Sequence, residues 1–381
     1  MKIAMFYHSL LSDWNHGSAH FLRGIVWEVK QRGHEVAVFE AADGWSLANL
    51  RREHGVEPIA QFRRAYPGLE SISYRIADLD FDKMLGGVDL VLVHEWNDPD
   101  LVRRLGAHRK ATARYRLLFH DTHHRSVTDP AAIAAYDLSG YDGVLAYGKA
   151  IADVYIERRW ARRVWIWHEA ADTRVFRPLP EPNKKLDLVW VGNWGDDERT
   201  EELREFLLTP ARALGLKAAV YGVRYPMSAL RALADAGIEY RGWLPNFRVP
   251  EIFARARATV HIPRRPYAAA LPGIPTIRPF EALACATPLV CAPWRDSENL
   301  FTPGEDYLVA RDSTEMTAHL AMLYKRPERA QTLAGHGLRT VLQRHTCAHR
   351  AEELLAIYRE LARSDQISRC TSAEIAHGRI P

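Results

Sequence analysis

Three histidines, an aspartate and an arginine cluster in one short segment, HDTHHR, at residues 120–125. The segment directly follows the apolar run YRLLF, which predicts a strand. Imidazole and carboxylate groups bind metals, but adjacent His123 and His124 would point apart, which disfavours one compact metal site. General acid–base or hydrogen-bonding roles suit a neutral imidazole near pH 7 better. We therefore take His120, Asp121 and His123 as catalytic candidates, with a solvated polar loop as the alternative.

Two further loops follow predicted strands and carry residues able to bind a ligand. In HEWND, residues 94–98, Trp96 could stack on a sugar or a base, although packing against a helix is as common. Glu95 and Trp96 are therefore candidates for the acceptor side of a site. After the first predicted strand, Gly17 and Ser18 precede a helix and could offer backbone N–H groups to an anion. The alternative is a turn at Gly17 and a simple helix cap at Ser18.

An arginine in the second half of the chain stands at a predicted helix start. Arg199 ends the segment GNWGDDER, residues 192–199, where its guanidinium could make a bidentate pair with a phosphate. The alternative is an ion pair with Glu202 or Glu205 on a solvated helix face.

Arg278 and Glu281 lie in TIRPFEALA, residues 276–284, near the start of another predicted helix. A carboxylate there could accept hydrogen bonds from the paired hydroxyls of a ribose. Arg278 and the free N–H groups of the helix start suit a diphosphate. A simple helix-dipole role for Glu281 is the alternative.

The elements that must position these residues are strands alternating with helices. Short apolar runs in the first half occur at residues 2–7, 35–40, 88–94, 115–120, 142–148 and 162–168. Those in the second half occur at residues 186–192, 217–222, 238–242, 258–263, 288–293 and 306–310. The alternation predicts right-handed βαβ crossovers and a parallel sheet in each half, whereas residues 45–83 predict only helices. Because ligands bind beyond the carboxyl ends of parallel strands, the candidates would face one shared cleft.

The predicted domain organisation follows from this pattern and from one Pro-rich stretch. We predict an N-terminal domain at residues 1–178, a linker at 179–185 and a C-terminal domain at 186–349. A helix at residues 350–363 is a candidate to return to the N-terminal domain, and residues 364–381 predict a loose tail.

The composition excludes several classes of protein. The 381 residues suffice for two domains, and the net charge of +4 does not indicate a general nucleic-acid binder. Four cysteines without CxxC spacing disfavour a disulfide framework or zinc module and fit a cytoplasmic protein. No secretion signal or membrane-spanning run is apparent. Arg-rich patches at residues 51–52, 63–64 and 158–163 permit an acidic glycan, a lipid phosphate or peripheral membrane association, although solvated helix faces are the preferred interpretation.

At these positions the sequence resembles the family 4-type retaining glycosyltransferases, which have the GT-B fold. Four segments are similar to family segments in the same order: HEAADTRVFRP (168–178), YRGWLPNFRVPEIFARARATVHIP (240–263), RPFEALACATPLV (278–290) and TPGEDYLVA (302–310). DTHHR, GNWGDDER and RPFEALA together look most like the CgeB-like, spore-maturation-type branch. The resemblance implies an α/β fold of two facing Rossmann-like domains with an interdomain cleft.

The resemblance also implies roles for individual residues. Glu281 would bind the ribose and Arg199 the diphosphate of a nucleotide-sugar donor. His120 is similar to the family histidine that contacts the donor sugar, and Gly17 to the glycine-rich loop near the phosphates.

Other positions match the family by place or depart from it. Trp243 and Leu244 would border the nucleotide base. Asn193 stands where the family has an arginine after the strand-end glycine, and we retain it as a donor-binding candidate. The family often has a further glutamate ahead of Glu281, at the position that Gly273 occupies here, which puts sugar identity and turnover in question.

The implied activity is transfer of a hexose from a UDP- or GDP-linked donor, with the anomeric configuration retained and without a metal ion or cofactor. The acceptor would be a glycan, a lipid or a protein, and no nucleic-acid partner is expected. Two alternatives stand beside it. One is a non-catalytic glycan- or nucleotide-binding protein derived from a glycosyltransferase, and the other is a nucleotide-sugar epimerase of the GT-B fold.

Overall fold

The computed structural model describes residues 1–181 and 183–377, without the side chains of residues 364–377. Within these ranges the chain forms two parallel β-sheets with helices packed against them. The first sheet takes its strands from residues 2–166 and the second from residues 186–309. The predicted α/β class with two parallel sheets is confirmed.

The first sheet is built from seven strands in the described part of the chain. They are β1 Lys2–Phe6, β2 Glu35–Ala41, β3 Ser71–Tyr74, β4 Leu90–His94, β5 Arg116–Asp121, β6 Gly143–Ala146 and β7 Val164–Ile166. Their order is β3-β2-β1-β4-β5-β6-β7, and every neighbouring pair is parallel. The chain order reverses between β1 and β4, so a crevice opens beyond the carboxyl ends of these two strands.

The second sheet has six strands among the described residues. They are β8 Leu186–Val191, β9 Ala218–Tyr221, β10 Ile238–Tyr240, β11 Ala256–His261, β12 Leu289–Cys291 and β13 Leu308–Val309. The order β10-β9-β8-β11-β12-β13 is again parallel throughout, and it reverses between β8 and β11. A second crevice therefore opens beyond β8 and β11.

Twelve of the strands coincide with the apolar runs of the sequence, and β3 is the exception. Its sequence, SISY, is short, and only Tyr74 in it is buried. A strand at a sheet edge needs little apolar surface, so its pattern does not differ from that of a loop.

The helices connect the strands and cover both sheets. Those of the first half are α1 Ala19–Gln31, α2 Trp45–His54, α3 Glu57–Ala65, α4 Phe81–Met84, α5 Pro99–Thr112, α6 Arg125–Thr128, α7 Pro130–Ala134 and α8 Lys149–Glu157. Those of the second half are α9 Thr200–Leu203, α10 Thr209–Leu214, α11 Met227–Asp235, α12 Val249–Arg255, α13 Arg265–Ala270, α14 Ile277–Ala284, α15 Ser313–Lys325, α16 Pro327–Arg344 and α17 Cys347–His377. A π-helical segment, Arg204–Leu208, joins α9 to α10. None of the helices among the described residues is both long and apolar enough to cross a bilayer.

The last helix packs against the first domain, where α17 lies along α1. The guanidinium of Arg32 donates to the carbonyl oxygen of Ala348 at 3.3 Å, and the indole of Trp167 donates to that of Arg350 at 2.9 Å. Residues of α1, α14 and α17 share one buried apolar cluster, so the two halves of the chain are joined by a continuous core. The prediction of a loose tail at residues 364–381 is wrong for residues 364–377, which belong to α17. The side chains of residues 364–377, and residues 378–381 as a whole, lie outside the described part.

Candidate active site

A cavity of about 720 Å³ lies between the two domains, where the carboxyl ends of the two sheets face each other. A cavity of this size is typical of small-molecule sites. The first domain lines it with the loops after β1, β2, β4 and β5, and the second with the loops after β8 and β11 and the start of α14. The two crevices at the reversals of strand order therefore open into one space.

The structure brings only some of the predicted site residues to this cavity. Those that line it are Gly17, Trp96, His123, Asn193, Arg199 and Arg278. Trp243 and Leu244 line a smaller adjoining cavity of about 40 Å³, to which Gly17, Asn193 and Arg278 also contribute. Glu95, His120, Asp121 and Glu281 are buried behind the cavity wall.

Arg199 caps the start of α9 and presents its guanidinium at the cavity wall. Its Nε and Nη2 donate to the carbonyl oxygen of Asn193, and its Nη1 donates to that of Ile262 at 3.0 Å. The group also lies 5.0 Å from the ring centre of Trp190. Burial, reinforced by the neighbouring charge of Arg264, lowers the pKa of Arg199 to about 9.

The alternative role of Arg199, an ion pair with Glu202 or Glu205, is not what the structure shows. Glu202 instead accepts from Arg265 at 2.9 Å. Among the described residues Arg199 has no carboxylate within salt-bridge distance. Its positive charge is thus left for an anion in the cavity.

Asn193 and Gly17 lie where the two domains touch. The side-chain NH₂ of Asn193 donates to the side-chain oxygen of Asn15, and its own oxygen accepts from the backbone N–H of Val223 at 3.0 Å. Asn246 of the second domain donates to the carbonyl oxygen of Gly17 at 3.0 Å. These contacts hold the loop after β1 against the second domain.

Arg278 and Glu281 form an ion pair on α14, and only the arginine lines the cavity. The Glu281 carboxylate is fully buried, accepts from Arg278 and lies 3.0 Å from Nδ1 of His20 on α1. Burial opposes its ionisation, but Arg278 and then His20 outweigh burial and lower the pKa of Glu281 below its usual value. The residue predicted to bind a ribose therefore links the two domains in this conformation.

His120 is buried behind the cavity and is linked to it by a hydrogen bond with a lining residue. Its Nδ1 lies 2.9 Å from the hydroxyl of Tyr7, which does line the cavity. The ring packs against Trp167, with centres 4.8 Å apart. Burial lowers the pKa of His120 to about 3, so the imidazole is neutral at pH 7.

Asp121 and Glu95 position the HDTHHR loop instead of facing the cavity. Asp121 accepts hydrogen bonds from the hydroxyl of Tyr155 at 2.9 Å and from the N–H of His123 at 3.0 Å. Burial, with the nearby charge of Glu95, raises its pKa well above the usual value. Glu95 pairs with Arg125 at 2.8 Å, and Arg125 in turn lies 4.1 Å from the ring centre of Trp96.

Histidines line much of the cavity, and the structure keeps them uncharged. They are His8, His16, His94, His123 and His261. Burial is the main cause in each case, lowering the pKa to about 4 for His8, about 3 for His261 and about 2 for His123. Burial lowers the pKa of His16 and His94 well below the usual value as well. Neutral imidazoles can both donate to and accept from sugar hydroxyls.

Glu169 is a cavity residue that the sequence analysis missed. It follows β7, is 3% exposed and accepts a hydrogen bond from the hydroxyl of Ser18. Ser18 therefore does not cap α1 with its side chain. Burial, and then the charge of Glu281, raises the pKa of Glu169 to about 8. The sequence feature that could have revealed it is an acid directly after the apolar run RRVWIWH, at a strand end.

Gly273 has a backbone that a glutamate could adopt only under strain. Its φ is +88°, and a Cβ there would approach the hydroxyl of Ser297 to 2.6 Å and Cγ of Glu298 to 2.9 Å. The acid that is absent at this position therefore has no space in the present loop.

No group of three or more His, Cys, Asp or Glu side chains that could hold a metal occurs in the described part of the chain. Three of the cysteines, Cys285, Cys291 and Cys347, are buried free thiols.

Comparisons with known proteins agree with this geometry. Residues 199–356 match a family model described as "Glycosyl transferase-like". No protein of curated function matches the sequence. The whole chain is similar in structure to several solved proteins at low sequence identity.

Three of these structures illustrate the likeness. Sucrose-phosphate synthase from Thermosynechococcus elongatus superposes with a TM-score of 0.66 at 13% identity, over 96% of this chain and 100% of that chain. Anabaena HepE in complex with UDP and glucose gives 0.65 at 15% identity, over 94% and 99%. An alpha-glucosyltransferase in complex with UDP and a 13-mer DNA containing an HMU base gives 0.67 at 13% identity, over 94% and 99%.

The whole chain has the fold of GT-B glycosyltransferases, and residues 199–356 are similar to the glycosyl transferase-like family. The predicted fold is confirmed, and the family match supports the predicted class of enzyme, a glycosyltransferase. The CgeB-like branch stays a prediction.

Proposed function

We propose that the protein transfers a hexose from a nucleoside-diphosphate sugar to an acceptor in the interdomain cavity, with the anomeric configuration retained and without a metal ion. The observation that carries this proposal is Arg199, a cation on the cavity wall whose hydrogen bonds go to backbone carbonyls. A cation without a carboxylate partner in a buried site favours an anionic ligand.

The second domain supplies the groups that would hold the donor. Arg199 and Arg278 would contact the diphosphate together with the backbone N–H groups at the start of α14. Trp243 and Leu244 would border the base in the adjoining cavity. UDP is the first nucleotide to test, because HepE and the alpha-glucosyltransferase were both solved with UDP.

The reaction needs stabilisation of charge more than a nucleophile. The bond between the anomeric carbon and the phosphate oxygen breaks, and a bond to the acceptor oxygen forms on the same face. The acceptor proton passes to the departing phosphate. Arg199 and Arg278 stabilise the negative charge that develops on this leaving group, and the neutral imidazoles of the wall orient sugar hydroxyls. Tyr7, held by His120, would position the sugar, and His120 itself would act through Tyr7.

Nucleotide titration tests the proposal. We expect UDP or GDP, and the corresponding sugar nucleotides, to bind the full chain in the presence of EDTA as tightly as in its absence. Arg199→Ala should weaken binding about 100-fold because it removes a charge-assisted contact. Arg204→Ala is the matched control, since Arg204 pairs with Glu201 at the surface and lies outside the cavity lining. Failure of every nucleotide to bind would overturn the proposal.

A second candidate is a nucleotide-binding protein without turnover, and the observation that favours it is Gly273. The acid that the family often has at this position is absent and has no room. Release of free hexose or of UDP from a bound UDP-hexose, followed by NMR, separates the two candidates. A transferase hydrolyses its donor slowly without an acceptor, and the anomeric signal of the released sugar reports retention.

A further inference from the structure

The two walls of the cavity differ in charge. All four arginines that line it belong to the second domain: Arg199, Arg224, Arg264 and Arg278. The described lining residues of the first domain include no lysine or arginine, but they include the exposed carboxylates of Asp43 and Asp98. Burial, and then the charges of Asp43 and Asp98, raise the pKa of the phenol of Tyr74.

The first-domain wall also presents exposed tryptophans. The chain has eleven tryptophans, and only Trp45 and Trp96 among them are exposed, at 47% and 44%. Both line this cavity. Single exposed apolar residues are common on protein surfaces, but two exposed indoles at one cavity indicate a ligand with apolar faces.

The strand order indicates how far apart the loops that carry these two side chains begin. Trp45 follows β2, Trp96 follows β4, and β1 lies between these strands. Neighbouring strands are about 4.8 Å apart, so the ends of β2 and β4, from which the two loops leave, are separated by roughly 10 Å. His8 follows β1, and its ring centre lies 6.2 Å from that of Trp96.

Both indoles are held by buried or paired neighbours. Trp96 has the guanidinium of Arg125 over its ring, and Glu95 fixes that guanidinium. Trp45 packs edge-on against Trp14, with ring centres 4.9 Å apart. Trp14 is fixed by the hydrogen bond of its N–H to Glu53 at 2.7 Å. Side chains held in place before binding lose little entropy when a ligand stacks on them.

We infer that the acceptor is an uncharged saccharide that stacks on Trp45 and Trp96 and donates hydroxyl hydrogen bonds to Asp43 and Asp98. This inference rests on the proposed function and assigns the substrate class of its first-domain side. The C–H face of a sugar ring packs on an indole, and hydroxyl groups make charge-assisted hydrogen bonds to carboxylates. An anionic acceptor would instead face these two carboxylates, because the cations beside the indoles are already paired, Arg125 with Glu95 and Arg224 with Asp196.

The test is a binding series on the full chain saturated with UDP. The neutral probes are maltotriose, cellotriose and N,N′-diacetylchitobiose. The anionic probes are trigalacturonic acid, a DNA oligonucleotide and vesicles containing phosphatidylglycerol. Calorimetry measures affinity, and protection of tryptophan fluorescence from acrylamide reports contact with the exposed indoles. We expect a neutral probe to bind and to protect the fluorescence, and the anionic probes to bind at least tenfold more weakly.

Variants locate the binding. Trp45→Ala and Trp96→Ala should each weaken the neutral probe roughly tenfold and leave UDP affinity unchanged. Trp27→Ala is the matched control, because Trp27 also carries an arginine over its ring, Arg174 at 4.0 Å, and lies outside the cavity lining. It should leave both affinities unchanged.

The inference is overturned if an anionic probe binds best, if no neutral probe binds, or if neutral binding survives both cavity substitutions. UDP titrated alone in the same samples separates this inference from the proposed function. UDP binding without any neutral saccharide overturns only the acceptor class, whereas saccharide binding without any nucleotide overturns only the donor.

Discussion

The two walls of the cavity are built from similar folds and differ in chemistry. The second-domain wall carries four arginines, and the first-domain wall carries exposed indoles, carboxylates and most of the neutral imidazoles. UDP- and GDP-linked sugars share a diphosphate, so the wall that would hold it needs fixed positive charge. The wall that would face the acceptor needs shape and hydroxyl partners instead. The family match agrees with this division, because it covers residues 199–356, within the second half.

The largest expected effect is at the point where the walls are joined. Glu281→Ala should lower the free energy of unfolding by about 3 kcal/mol, because it leaves Arg278 and His20 without their buried partner. Denaturant unfolding measures this. Asp153→Ala, which breaks an exposed pair with Lys149, should change stability by less than about 0.5 kcal/mol. Equal effects of the two substitutions would show that Glu281 does not link the domains.

The second prediction concerns the titrating acid of the first-domain wall. The pKa of Glu169 is raised from 4.5 to about 8, so the native state holds this proton more tightly than the unfolded state. Its contribution to stability therefore decreases as the pH rises from about 4.5 through 8. Glu169→Gln should be similar to the parent in stability at pH 5 and more stable at pH 9, with a difference that grows by about 1.4 kcal/mol per pH unit in between. Thermal unfolding at both pH values checks this, and a difference independent of pH would contradict it.

The third prediction sharpens the role of the arginine wall. Arg199→Lys keeps the charge but loses the planar fork that two carbonyl oxygens now hold in place. We expect UDP to bind about tenfold more weakly, between the parent and Arg199→Ala. Calorimetric titration measures it. An affinity equal to that of the parent would mean that charge alone is recognised.

The smallest expected effect is at the adjoining cavity. Trp243→Ala should weaken UDP about fivefold and change the ratio of UDP to GDP affinity, because the indole lines the space assigned to the base. Competition between the two nucleotides measures the ratio. An unchanged ratio would place the base elsewhere.

Much of the fold follows from short-range patterns. Strands such as β4 and β5 are continuous apolar runs because both of their faces are covered, and helices such as α1 repeat buried residues four apart. β3 was not predicted because a short edge strand with three unburied residues carries no such pattern. Placement at a strand end for His123, and at a helix start for Arg199 and Arg278, was enough to bring these residues to one cavity.

The direction of individual side chains did not follow from these patterns. Glu281 and Arg278 are three residues apart on one helix, yet one is buried against His20 and the other lines the cavity. His120 lies at the end of its strand as predicted, but Tyr7 stands between it and the cavity. Glu169 belongs to a segment that the sequence analysis used only for its resemblance to the family. The structure shows that it lines the cavity and accepts a hydrogen bond from Ser18.

By itself the sequence determined two parallel α/β domains and the loops that carry polar groups, because hydrophobic periodicity and strand ends are local properties of the chain. Only the tertiary structure decided which of those groups share the cavity and which hold the two domains together. It also decided that the cations lie on one wall of the cavity and the exposed indoles on the other. The physical reason is that burial, charge pairing and pKa depend on neighbours that are more than a hundred residues away along the chain, as Ser18 is from Glu169 and His20 from Glu281.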